Sequence, residues 1–131
     1  MNEEDVTALV QFLRNRIQYD RQTAIAATNA HQGTWKNDGT RIYADEGTML
    51  AEAVHRSTAE HVVDWQPGRV LSDMEAKRRI VEQFTMIELP EHSDGDTAAV
   101  GAYVKMLAVL QLMAAAYVDH PDYRAAWVPK F

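Results

Sequence analysis

The chain has 131 residues, 47% of them hydrophobic and 24% charged, and a net charge of -6. That length suits one compact domain burying roughly two thirds of its unfolded surface, and the charge opposes non-specific attraction to nucleic-acid phosphates or anionic lipid. With no cysteine it can form no disulfide, thiolate nucleophile or thiolate metal site, so metal binding would fall to histidines and carboxylates.

The start "MNEEDVTALV" is acidic and lacks the basic, apolar, small-residue layout of a signal peptide, so a soluble cytoplasmic protein is expected. From Glu3 to about Asn29, Val6, Leu9, Val10, Leu13, Ile17 and Ala24 recur at three-and-four spacing and predict an amphipathic helix. Asn2 can cap it, and Glu3, Glu4 and Asp5 complement its dipole. Arg14, Arg16, Asp20 and Arg21 form its solvated face.

"HQGTWKNDGTRIYADEGT" changes period. Asn37-Asp38-Gly39 between Thr34-Trp35-Lys36 and Thr40-Arg41-Ile42-Tyr43 predicts a hairpin, because Asp-Gly tolerates positive φ. A two-stranded ribbon is marginal alone, so Trp35 or Tyr43 is expected to anchor it. Thr48 to Val54, "TMLAEAV", is expected to be helical.

Ser57 with Glu60 has the spacing of a capping box and predicts a short helix. Pro67 suits the first turn of a second helix that buries Val70, Leu71, Met74, Val81 and Phe84 and stops at Leu89-Pro90. "EHSDGDT" is a polar loop, after which Thr97 to Val118 is apolar almost all round. Lys105, Gln111 and the high alanine content favour a central helix buried by its neighbours over a membrane span. A homodimer seam is the alternative, and a homodimer is expected because so short a chain has little else to cover this helix.

"YVDHPDYRAAW" then reads as the end of the buried helix and a new C-terminal one. Asp119 or His120 would cap it, Pro121 would open it, and Tyr123 and Trp127, four apart, would staple it down. Arg124 is expected to meet a carboxylate on the Asp73 to Glu82 face.

Together "HVVDWQPGRVLSDMEAKRRIVE" and "LMAAAYVDHPDYRAAW" resemble the paired signatures of a family of small uncharacterised proteins from actinobacteria and their phages. The matching residues are His61, Pro67, Arg69 to Leu71 and Glu75 to Ile80, then Tyr117, Asp119 to Arg124 and Trp127. The N-terminal Leu-x-x-Phe-Leu-x-x-Arg pattern and Trp35 fit as well, so the resemblance covers about two thirds of the chain. It implies kinship of fold and brings no mechanism. Many relatives carry Cys and His between the signatures in a zinc-like arrangement, and this cysteine-free chain does not inherit that role.

No His-Glu-x-x-His, Walker, glycine-rich phosphate or G-x-S-x-G motif occurs, so neither a metal nor a cofactor is expected. An acid–base site of His61, His120 and Asp122 would require the two signatures to meet in space, which makes a hydrolase-like enzyme the third reading. Residues 57–86 outline a helix-turn-helix, the second reading. Lys77, Arg78 and Arg79 nevertheless lie deep in the second helix, flanked by Asp73, Glu75 and Glu82, so nucleic acid is not the expected partner. The expectation is a mainly α, small helical bundle with one hairpin after the first helix, acting as a protein-interaction or regulatory module. Its candidate surface is His61, Arg69, Arg78, His120, Asp122, Tyr123, Arg124 and Trp127.

Overall fold

A computed structural model describes residues 1–52, 54–88 and 97–130. The fold is mainly α, as expected. Its described helices are α1 (Glu3–Ala30), α2 (Arg56–Asp64), α3 (Pro67–Thr85) and α4 (Thr97–Ala115), with a small antiparallel sheet between α1 and α2. Contacts group the residues into two compact units, one formed by 1–17 with 77–131 and the other by 18–76.

In the first unit, α1 begins as its sequence predicts. Asn2 Oδ1 accepts the Asp5 N–H at 2.8 Å and the Asp5 carboxylate accepts the Asn2 N–H at 3.3 Å, a reciprocal cap with Asp in the usual place of Glu. One stripe of this helix, Leu9, Phe12, Leu13 and Ile17, is buried together with Val81 and Phe84 of α3, Leu110 and Ala114 of α4, and Trp127. Phe84 and Tyr103 stack at 5.1 Å, and Arg14 pairs with Glu82 at 2.9 Å on the surface.

Helix α4 departs from expectation. It ends at Ala115 rather than Val118, and it is not buried by neighbours on all sides: only 11% of Ala98–Ala115 is buried. Leu110 and Ala114 face inward, while Val100, Val104 and Leu112 are each about half exposed. By length and composition alone this helix is apolar enough to cross a membrane. The reason for the difference is coverage: among the described residues, Tyr103 packs on Phe84 of α3 and Gln111 bonds the Trp127 carbonyl, on the side of the helix where Leu110 and Ala114 are buried.

The expected C-terminal helix does not form either. Residues 116–122 run through consecutive turns, with Tyr117, His120 and Tyr123 linked by backbone hydrogen bonds of 2.9 Å, and a short 3-10 helix occupies Ala125–Trp127. The segment is too short to sustain an isolated α-helix, and its conformation is set by what its aromatic side chains reach.

The second unit holds the sheet. Strands β1 (Lys36–Asn37) and β2 (Ile42–Tyr43) pair in the register Lys36 to Tyr43 and Asn37 to Ile42. Gly39 takes φ +100° in the turn, a backbone conformation that suits glycine. Asp38 Oδ1 accepts the N–H groups of Thr40 at 3.1 Å and Arg41 at 2.9 Å. Those hydrogen bonds, that from Thr40 foremost, together with the Tyr43 hydroxyl and the Arg41 charge, hold the Asp38 carboxyl down at about 2. Partial burial, then the Asp38 acceptor, push the Tyr43 phenol up.

The expected helix at Thr48 to Val54 is a strand instead, β3 (Met49–Ala51), antiparallel to β2 with Ile42 opposite Ala51 and Tyr43 opposite Met49. A 3-10 turn at Asp45–Gly47, closed by Gly47 at φ +83°, reverses the chain onto the open edge of β2. A seven-residue helix without tertiary support could not compete with those ladder bonds. Trp35 anchors the sheet. Its N–H donates to Gln66 Oε1 at 2.9 Å, the Gln66 amide donates back to the Trp35 carbonyl at 3.3 Å, and its indole N–H reaches the His31 carbonyl at 3.3 Å.

The cap of α2 is His55 rather than Ser57. Its Nδ1 accepts the Ser57 N–H at 3.3 Å, and Glu60 pairs with Arg56 instead of completing a capping box. Pro67 opens α3 as expected, buried in the first turn. That helix stops at Thr85; the expected stop, Leu89-Pro90, and the polar stretch 91–96 lie outside the described residues.

Candidate interaction surfaces

In the first unit, three of the eight candidate residues, His120, Tyr123 and Trp127, come together around Phe12, with Asp122 and Arg124 beside them. The Phe12 ring meets those of Tyr117, His120, Tyr123 and Trp127 at centroid distances of 6.1, 5.5, 6.2 and 5.0 Å. Tyr123 and Trp127 also meet edge to face at 5.6 Å, so the pairing expected of a helix survives without one. Trp127 is 1% exposed. Its indole N–H donates to the Asp5 carbonyl at 2.9 Å, and Gln111 of α4 donates to its backbone carbonyl at 3.3 Å. Trp127 therefore belongs to the core and serves any surface here only by holding it.

Arg124 meets Asp5 of the first turn of α1 at 3.6 Å, not a carboxylate of α3. Its guanidinium also sits 5.7 Å from the Trp127 ring. His120 acts as a local cap, because its Nδ1 accepts the Asp122 N–H at 3.1 Å and so carries its proton on Nε2 when neutral. The Asp122 carboxylate is 4.0 Å from that nitrogen and 80% exposed. Above this aromatic floor lies an open cleft of about 470 Å³ lined by Gln11, Asn15, Asp122 and Arg124 among others, with the Gln11 and Asn15 amides bonded at 2.8 Å.

The second unit presents Trp65, half exposed, with the Arg69 guanidinium 4.3 Å above its ring. Arg69 also donates to the Asp64 carbonyl at 3.1 Å, which fixes the stack. His61 is exposed one turn before Trp65, and its carbonyl accepts the Trp65 N–H at 3.1 Å. Arg78 is exposed on the part of α3 that belongs to the first unit. His61 thus belongs to one unit, and His120 with Asp122 to the other. Among the described residues no group of three or more His, Asp or Glu side chains is placed to hold a metal ion.

The third surface is the exposed apolar side of α4, with Val100, Val104 and Leu112. The sequence points to this helix as a homodimer seam without saying which face is exposed, and it does not mark Trp65, which sits inside a quoted signature. Phe12 was signalled by the Leu-x-x-Phe-Leu pattern, though its role as the hub was not.

No curated protein and no solved structure matches the chain. A family model does, over residues 6–129, spanning α1 through the Trp127 clasp. The chain belongs to DUF6221, a family of unknown function.

Proposed function

We propose that this chain is a small protein-interaction or regulatory module of the cytoplasm, in keeping with its resemblance to actinobacterial and phage proteins. One observation carries that reading: α4 leaves Val100, Val104 and Leu112 in water although it is long, apolar and nearly charge-free. Contiguous exposed apolar surface of this kind marks recognition sites more often than it is tolerated idly. Trp65 under Arg69 adds a second exposed feature of the type enriched at binding hot spots.

Nucleic acid is the second reading, favoured by the same exposed Trp65, on whose face a base could stack beside a guanidinium. The net charge of -6 weighs against it.

Quantitative affinity capture from host lysate, wild type beside Val104→Glu/Leu112→Glu, tests the proposal. Partners captured by the wild type and lost with the folded double variant support α4 as the recognition face. Identical capture by both chains would refute it. Nuclease-sensitive capture that follows Trp65→Ala would transfer the case to nucleic acid.

A further inference from the structure

We infer that the exposed face of α4 pairs with the same face of a second copy of this chain, the two helices running antiparallel about a two-fold axis near residue 106. This rests on the reading of α4 as a recognition face and names its partner. Val100, Val104, Ala108 and Leu112 form one i,i+4 ridge, and the three larger side chains are 47%, 58% and 53% exposed. Rotation about the midpoint of that ridge sets Val100 against the partner's Leu112 and Val104 against the partner's Ala108. Large side chains then meet small ones, the condition for interdigitation. A parallel pair would set Val104 on its own copy and leave a gap at Ala108. Antiparallel helices also place opposite dipole ends together.

Close approach is open along this face. A methyl group added at Gly101 would meet nothing within 4 Å, and Ala108 follows two turns later. Lys105, the one charged residue of α4, flanks the ridge rather than interrupting it, so its stem can cover apolar surface while its ammonium stays in water.

The area suits a pair. Nineteen residues make a helix ~28 Å long and ~12 Å across, so half its girth is roughly 530 Å² and two copies bury about 1,050 Å². That meets the roughly 1,000 Å² a biological interface needs and falls short of a permanent one, so the dimer forms in the micromolar range or weaker. A lipid surface suits this face less well, because the chain carries -6 and the opposite side of α4, through Leu110, Ala114 and Tyr103, is already engaged by protein.

Sedimentation velocity on the purified chain from about 10 to about 500 μM brackets the expected affinity. The wild type should pass from monomer to dimer. Val104→Glu/Leu112→Glu should remain monomeric throughout with an unchanged far-UV spectrum. The chain has no cysteine of its own, so Val104→Cys/Ala108→Cys should form a covalent dimer on oxidation and Val104→Cys alone far less. That second measurement stands even if the charged variant misfolds. A wild type monomeric at the highest concentration overturns the pairing, as does a dimer that the glutamates leave intact. Binding of monomers to phosphatidylcholine vesicles would overturn it in favour of lipid. A monomeric wild type whose lysate partners are still lost on Val104→Glu/Leu112→Glu would overturn self-pairing while leaving the interaction module standing.

Discussion

Replacing Trp127 with alanine tests the clasp most directly. The side chain is 1% exposed, lies against Phe12 at 5.0 Å and Tyr123 at 5.6 Å, and donates to the Asp5 carbonyl at 2.9 Å. Burial of an aromatic of this size removes roughly 150 to 250 Å² from water, worth about 4 to 6 kcal/mol at ~25 cal/mol per Å². Measured large-to-small changes at such sites cost about 3 to 5 kcal/mol because the surroundings partly collapse. The lost hydrogen bond adds about 1, softened because the Asp5 carbonyl lies within the first turn of α1. A total near 4 kcal/mol is a large share of the order of 10 that a domain of this length holds. The melting temperature should therefore fall by about 12 to 20 °C. Trp127→Phe keeps a ring against Phe12 and should cost about 1 to 2 kcal/mol. Urea unfolding followed by far-UV circular dichroism reads both. A cost below about 1 kcal/mol for Trp127→Ala would show that the segment is not fastened as described.

Three further outcomes follow from the local geometry. Gly33 sits at φ +88° and a Cβ there would lie 2.5 Å from the Asp45 carboxylate, so Gly33→Ala should cost about 1 to 3 kcal/mol by thermal unfolding, and a neutral result would contradict the turn. Asp38, lowered from 3.8 to about 2, stabilises the hairpin above its unfolded value and loses that contribution as pH falls from about 4 toward 2. A carboxyl titration by NMR should find the low midpoint, and one at the ordinary value would mean the turn is not closed on Asp38. His120→Ala removes the acceptor for the Asp122 N–H and should cost about 1 kcal/mol, well below Trp127→Ala, with the order reversed if the segment were a working surface rather than a clasp.

Much of the fold was legible because its signals are local. Asn2, the spacing of Leu9, Leu13 and Ile17, and Pro67 are signals carried by neighbouring turns, and α1 and the start of α3 follow from them. What was not legible depended on partners distant in sequence. Met49–Ala51 is a strand only because it meets the free edge of β2, outside the segment itself, and its own composition favours a helix. Arg124 meets Asp5 across 119 positions, and the indole of Trp127 meets the Asp5 carbonyl across 122, so the pair that closes the first unit could not be named from the C-terminal segment alone.

Helix α4 shows the same limit in another form. A helix apolar on every side has almost no amphipathic direction, so its sequence does not say which face turns inward. Burial on all sides requires neighbours all round, and among the described residues of its unit one half of α1, part of α3 and the tail around Trp127 are there to pack against it. Those elements reach Leu110 and Ala114 but not Val100, Val104 or Leu112. Composition places the apolar residues in this helix, whereas the supply of covering surface decides how many of them stay wet. Among the described residues the ridge of Val100, Val104 and Leu112 stays exposed, and an exposed apolar ridge is where a partner gains the most by binding.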